Sequence, residues 1–252
     1  MTYQDITVAI DGPVATLTVN RPDKLNAMRN ESADEMRAAL AELEGNEAVR
    51  AVIVTGAGRA FGAGYDLSTV DLSEGCDLRS VLEDHFNPLI RAVRRSRLIV
   101  ISAVNGACAG VSVGLAFSAD IVLAAETAFF YEPFAGIALV PDGGNTLFIP
   151  RCAGRTRALS MMLLGERIGA AQARDWGLVW AVHPAERLGE EARATAERVA
   201  ALPPLAAQRT KQLVNAATDD ALDAQLDLER DYQAELAGRP EMIAAVSKFV
   251  GK

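Results

Sequence analysis

Between Arg97 and Asp120 the chain carries no charged residue, and this run limits the fold more than any other stretch. On length alone, residues 98–119 suffice to cross a bilayer as a helix. The interior of the run argues against that. Asn105, Gly106 and three serines interrupt it, and β-branched residues crowd only its first part. LIVISAV reads as a buried strand, NGACAG as a turn, and VSVGLAFSA as a helix packed closely at Gly114. Strand, turn and apolar helix in that order suit the core of a soluble α/β protein.

The flanking sequence extends the pattern. ITVAI, DGP and VATLTVN form an expected N-terminal β-hairpin turning at Asp11-Gly12. After the loop NRPDKLNAM, Asn30 or Ser32 can start a helix with Met36, Leu40 and Leu43 on one face. AVIVTG is a further buried strand, followed by the Gly-rich GAGRAFGAG. The acidic STVDLSEGCDL reads as a surface loop before a helix around residues 79–95, and DIVLAAE as another strand. Beyond residue 152 only LVWAV, 178–182, keeps a strand pattern. From Pro184 onward the sequence is helical, broken at Pro203–Pro204 and from Gly238 to Pro240. Strands alternating with helices, then helices alone, give an α/β core over 1–183 and a helical C-terminal region over 184–252.

Composition narrows the partners. Half of the 252 residues are hydrophobic, enough for a large core, and the net charge of −8 argues against a general nucleic-acid or anionic-membrane binder. Cys76, Cys108 and Cys152 form an odd set without CxxC spacing, and MTYQDITV has no signal-peptide pattern. Both point to a reducing cytoplasm. His85 and His183 stand alone, so no metal site is expected.

Two motifs nearly fit known chemistries. GVSVG, 110–114, matches G-x-S-x-G with Ser112 at its centre, and Asp142 and His183 follow in triad order. That elbow must turn directly out of a strand, whereas NGACAG intervenes, and no HGGG-like segment lies upstream. The glycines at 56, 58 and 62 lack G-x-G-x-x-G spacing and lie in mid-chain, which argues against a dinucleotide site. A third stretch, IALVPDGGN (137–145), ends an apolar run with Asp142 and two glycines. Turn chemistry, or a helix cap over GGNTLFIPR, explains it as well as catalysis does.

Taken together, NRPDKLNAM, TGAGRAFGAGYDL, AVNGACAGVSVGLAFSADIVLAAE and IALVPDGGNTLFIPR resemble the crotonase, or enoyl-CoA hydratase/isomerase, superfamily in order, spacing and letters. WGLVWAV and AQLDLERDYQAELAGR look closer still to its branch of epoxyphenylacetyl-CoA isomerases. The resemblance implies a spiral of ββα units, an acyl-CoA thioester substrate, no cofactor beyond the CoA that the substrate carries, and a homotrimer or hexamer. The C-terminal helices would serve trimerisation and cover the active site. Their apolar residues Leu222, Leu226 and Leu236 also look hard for a monomer to bury.

By family position, the backbone N–H groups of Tyr65 and Val111 would hold the thioester oxygen as it gains charge. Gly64 and Gly110 would permit the close approach. Lys24 and Leu25 would meet the nucleotide and pantetheine, Ala63 the adenine, and Asp66, Leu67 and Phe134 the rest of the substrate. The two glutamates with which hydratases of this family position water fall on Gly114 and Phe134, and Glu132 is out of register by two. Asp142 falls where isomerase members keep a single acid. The expectation is an isomerase with Asp142 as acid and base. A hydratase using Glu132, or a non-catalytic acyl-CoA-binding member, remains open. The short tail VSKFVGK leaves Phe249 and Lys252 as substitutes for the basic, aromatic end that family members often use to bind CoA.

Overall fold

We describe residues 3–69, 77–219 and 221–251 of a computed structural model of the chain; nothing is described of the side chains of 249 and 250. Cys76, most of the acidic stretch 68–78, the Phe249 side chain and Lys252 therefore lie outside the described residues.

The expected hairpin forms. β1 (Ile6–Asp11) and β2 (Val14–Val19) pair antiparallel, with Ile6 opposite Val19. The loop after β2 leads into α1 (Asn30–Gly45), which turns Met36, Leu40 and Leu43 into the core. Then the chain repeats one move three times. β3 (Ala51–Gly56) enters a large sheet and β4 (Ala60–Gly62) a small one. A helical stretch follows: α2 (Leu78–Ser80), a wider π-turn over Val81–Phe86, and α3 (Asn87–Arg95). Next, β5 (Ile99–Val104) joins the large sheet, β6 (Ala107–Ala109) the small one, and α4 (Val111–Ser118) follows. β7 (Ile121–Ala125) and β8 (Phe129–Tyr131) make the third deposit.

The large sheet has the order β1-β2-β3-β5-β7 and is closed at its far edge by β10 (Ala181–His183). From β2 onward its pairs are parallel. The small sheet runs β4-β6-β8, parallel, with the two-residue β9 (Ile168–Gly169) antiparallel at its edge. α5 (Asn145–Ala153), α6 (Arg155–Leu164) and α7 (Ala170–Asp175) connect β8 to β9 and β10. Alternate delivery of strands to two sheets, with helices between, is the ββα spiral that the resemblance implies.

Three local readings differ. NGACAG is not a plain turn, since Ala107–Ala109 pairs with β4 and β8. β4, β8 and β9 were not legible as strands, being only two or three residues long. The late strand begins at Ala181, so Leu178–Trp180 lead into it rather than forming it.

The C-terminal region is helical as expected: α8 (Leu188–Ala200), α9 (Pro204–Thr218), α10 (Leu222–Leu236) and α11 (Pro240–Val250). Its helices do not stand apart from the core. Leu188, Ala192 and Ala196 of α8 pack into the main cluster, as do Leu222 and Leu226 of α10. That corrects the expectation for α10, because this chain buries both leucines itself, at 4% and 0% exposure. The large apolar side chains left in solvent are others, among them Leu163, Leu164, Trp180 and Leu213. Among the described residues, no helix is long and apolar enough to cross a membrane.

Candidate active site

Two glycine loops meet at the C-terminal ends of neighbouring strands. After β4 the chain passes Ala63 and Gly64 to Tyr65; after β6 it passes Gly110 to Val111. Gly64 and Gly110 have φ of +94° and +55°, conformations that only glycine adopts without strain. A side chain at Gly110 would come within 3.6 Å of the Gly64 backbone and of the Phe134 ring, so the two loops and Phe134 touch. Each loop is pinned from behind. Met28 donates its N–H to Gly64 O and accepts one from Asp66, both at 2.8 Å, and the Gly64 N–H donates to Ser112 Oγ at 3.2 Å. Val111 is the first residue of α4, so its N–H belongs to a turn whose amides lack intrahelical acceptors, at the positive end of the helix.

These loops form one wall of a cavity of about 90 Å³. The remainder is apolar: Leu67, Leu82, Phe86, Phe134, Ile137 and Leu139, with the π-turn supplying Leu82 and Phe86. Two polar side chains complete the lining, Asp142 and Gln233. Asp142 is 8% exposed. Its Oδ2 accepts from Gln233 Nε2 at 2.9 Å, and its Oδ1 has no hydrogen-bond partner.

The cap reading of Asp142 meets a direct obstacle. The amides at the start of α5 are taken by Glu229 of α10, which accepts from Gly144 N at 2.8 Å, from Thr146 N at 3.0 Å and from the Thr146 hydroxyl. The Asp142 side chain therefore caps nothing. Burial, and then the neighbouring Glu229 charge, push its carboxyl up to about 8 against the stabilising donation from Gln233. Burial likewise raises Glu229 to about 7, in spite of its hydrogen bonds to Thr146 and Gly144.

Neither position assigned to hydratase glutamates carries an acid. A Cβ on Gly114 would overlap the Gly143 carbonyl oxygen and lie 2.9 Å from its carbon and 3.1 Å from its Cα. α4 thus packs directly on the loop that carries Asp142, and no side chain fits between. Phe134 fills the second position with a ring. Glu132 is wholly buried at the end of β8 and does not line the cavity. Both its oxygens lack partners, and burial, with Asp142 and Glu229 nearby, holds its carboxyl well above the usual range.

The triad reading of Ser112 has no geometric support. Its hydroxyl serves Gly64, and among the described residues no hydrogen bond links it to Asp142 or to His183, which sits on the edge strand β10.

Of the residues that the resemblance singled out, Ala63, Gly64, Tyr65, Leu67, Gly110, Val111, Phe134 and Asp142 line this one cavity. Lys24, Leu25 and Asp66 do not. Asp66 pairs with Arg21 at 3.0 Å and accepts from Ser68, which accounts for its carboxylate inside the fold. Lys24 is exposed at the end of a short 3₁₀ turn, and Leu25 and Asn26 follow with positive φ. Buried Asn26 holds that loop by donating to Ala57 O at 2.8 Å and Ala60 O at 2.6 Å. Glu229 and Gln233 were missed. Their signal was a pair of polar residues one turn apart on the face that also carries Leu222 and Leu226.

Comparison with known proteins agrees with this geometry. The enoyl-CoA hydratase/isomerase family profile matches residues 9–252. The 1,2-epoxyphenylacetyl-CoA isomerase of Escherichia coli K12 is 40% identical over 96% of this chain and 94% of its own length. A probable enoyl-CoA hydratase of Rhodobacter capsulatus is 38% identical over the whole chain and 97% of its own. Among solved structures, an enoyl-CoA hydratase from Mycobacterium avium subsp. paratuberculosis superposes with a TM-score of 0.90 at 34% identity, covering 99% of this chain and 97% of that one. With a ββα spiral, two glycine loops and a match along nearly its full length, the chain belongs to the enoyl-CoA hydratase/isomerase family.

Proposed function

We propose that the protein is an acyl-CoA isomerase that moves a double bond, or rearranges a ring epoxide, through a thioester enolate. The observation that carries this reading is the cavity's single carboxyl: among its described lining residues only Asp142 has one, and one of its oxygens is unpartnered. The thioester oxygen would sit between the amides of Tyr65 and Val111, which stabilise it as charge develops. Asp142 Oδ1 would take a proton α or γ to the carbonyl and return it at the other position, so no second acid is required. The apolar lining keeps water from the enolate and suits an aryl or alkyl acyl group. CoA enters as part of the substrate, with Lys24 and Leu25 near its nucleotide and pantetheine. The name of the Escherichia coli relative supports an epoxyphenylacetyl thioester of phenylacetate breakdown.

Hydratase is the second reading, favoured by the names of relatives such as the Rhodobacter protein. It requires Glu132 to reach a cavity that it does not line. The proposal extends to a cytoplasmic homotrimer or hexamer. It also treats residues 184–252 as the cover of the site, since Met242 and Val246 of α11 pack with Phe134 and Leu139.

Asp142→Asn tests the reading. The variant keeps the side chain's size but loses its basicity, and turnover of a 3-enoyl-CoA should fall by about 10²–10⁴-fold. Exchange of α or γ protons with deuterated solvent should fall in parallel. An unchanged isomerase rate, or a wild type that mainly hydrates, would overturn it.

A further inference from the structure

We propose that Glu229 and Gln233 are positioning residues for Asp142, through which α10 sets both the orientation and the basicity of that carboxyl. The proposal rests on the reading of Asp142 as the base. The two side chains are 3% and 1% exposed and lie one helical turn apart, on the face turned towards residues 140–146. Gln233 Nε2 donates to Val140 O at 2.7 Å and to Asp142 Oδ2 at 2.9 Å. Both amide hydrogens are thereby committed, Asp142 is held from one side, and Oδ1 is the oxygen left for chemistry. Glu229 grips the same segment beyond the glycines, at Gly144 and Thr146. Gln225, one turn earlier on α10, steadies the Thr146 hydroxyl by donating to it at 2.5 Å.

Structure alone does not call for a carboxylate here. A neutral acceptor satisfies helix N-terminal amides about as well as an acid does, whereas a buried charge is costly. What Glu229 adds is a negative charge beside Asp142. Its effect opposes that of Gln233: Glu229 makes the Asp142 carboxylate harder to form and therefore a stronger base, and the Gln233 N–H makes it easier to form.

Other charges do not blur this pairing. From the end of β8, Glu132 neighbours both acids with its carboxyl held well above the usual range, burial being the main cause, and on β6 the Cys108 thiol is likewise pushed up by burial. On the outer side of α10, Asp223 and Asp227 pair with Arg91 and Arg95. Arg230 and Asp231 there pair with each other, with Glu83 and with Arg79.

The test is the pH dependence of kcat/KM for a 3-enoyl-CoA, whose rising limb reports ionisation of the base in the free enzyme. Glu229→Gln should move that limb to lower pH, and Gln233→Met should move it to higher pH, each by at least ~0.5 unit. Gln233→Met should also lower kcat by ~10-fold or more with a smaller change in KM, because methionine keeps the size of this lining side chain and the amides of Tyr65 and Val111 are untouched. Glu229→Asp, which keeps the charge, should leave the limb near its wild-type place. A merely structural role would lower the rate of both variants without moving the limbs apart. Limbs that stay together, or move the same way, overturn the proposal. If Glu229→Gln does not fold, Gln233→Met and Gln233→Glu decide, since both must shift the limb upward. Intact turnover in Asp142→Asn would sink the base assignment and this proposal with it. Loss of turnover there with unmoved limbs in the α10 variants refutes this proposal alone.

Discussion

Replacing Gly114 by alanine sets two effects of opposite sign against each other. In a helix interior the change should stabilise by ~1 kcal/mol, because alanine has the better helix propensity. Gly114 lies in the second turn of α4, where that gain applies. Against it stands packing. The new Cβ would overlap Gly143 O and lie 2.9 Å from the carbonyl carbon, where ordinary contact begins at 3.4 Å. Helix and loop must therefore separate by ~0.5 Å or more, and because backbone meets backbone no rotamer change can absorb the clash. Overpacking of this kind costs ~1–3 kcal/mol, and rigid neighbours favour the upper end. The net expectation is a loss of about 2 kcal/mol, or a fall in Tm of ~4–8 °C for a chain of this size. The moving loop carries Asp142, so turnover should drop by up to ~10²-fold while far-UV circular dichroism stays native. Thermal unfolding and steady-state kinetics of purified Gly114→Ala would settle the contest. A variant as stable as wild type or more so, with full activity, would refute the close packing of α4 on the 142–144 loop.

Further expectations follow from the same site. Because Asp142 is raised from 3.8 to about 8, the folded state binds its proton more tightly than the unfolded chain does. Stability from this group is full below pH ~4 and is lost as pH rises through about 8. Asp142→Asn should accordingly raise Tm relative to wild type, more at pH 9 than at pH 5; an equal shift at both would contradict the burial argument. Gly110→Val should cost both stability and turnover, since a β-branched residue is strained at the +55° φ and would press on Gly64 and Phe134 in the donor loop; near-normal turnover would show that the loop is misassigned. Wild-type protein should isomerise a 3-enoyl-CoA faster than it hydrates the product, and Gly114→Glu should not gain hydratase activity, because no space exists for the acid. Chromatography of the two product classes checks both.

Long elements were legible in the sequence because their signals are local. Met36, Leu40 and Leu43 announce one helical face, and AVIVTG and LIVISAV are strands buried on both sides. The second sheet was hidden. Strands of two or three residues such as Ala60–Gly62 carry no period of their own, and pairing alone makes them strands. Site residues on the glycine loops and at Asp142 could be aligned through the resemblance. Glu229 and Gln233 could not, for they lie about 90 residues further on and act across the fold, and nothing in LDLERDYQ says what the helix will face. Asp66, aligned by the same route, stands outside the cavity lining and pairs with Arg21.

The ββα spiral has a metric consequence. Tyr65 and Val111 come three and two residues after the adjacent parallel strands β4 and β6, so the spacing of neighbouring strands is the scale on which the two loops start. That scale is ~4.8 Å in any sheet. An oxygen seated ~2.9 Å from each of two donors at that spacing sees them ~110° apart, close to the directions of its lone pairs. The width of the site would then be a lattice constant of the sheet rather than an achievement of the loops. On the proposed reading, most of the loop sequence can drift around Gly64 and Gly110, and substrates can change, while the ladder of hydrogen bonds beneath keeps the two donors on one scale.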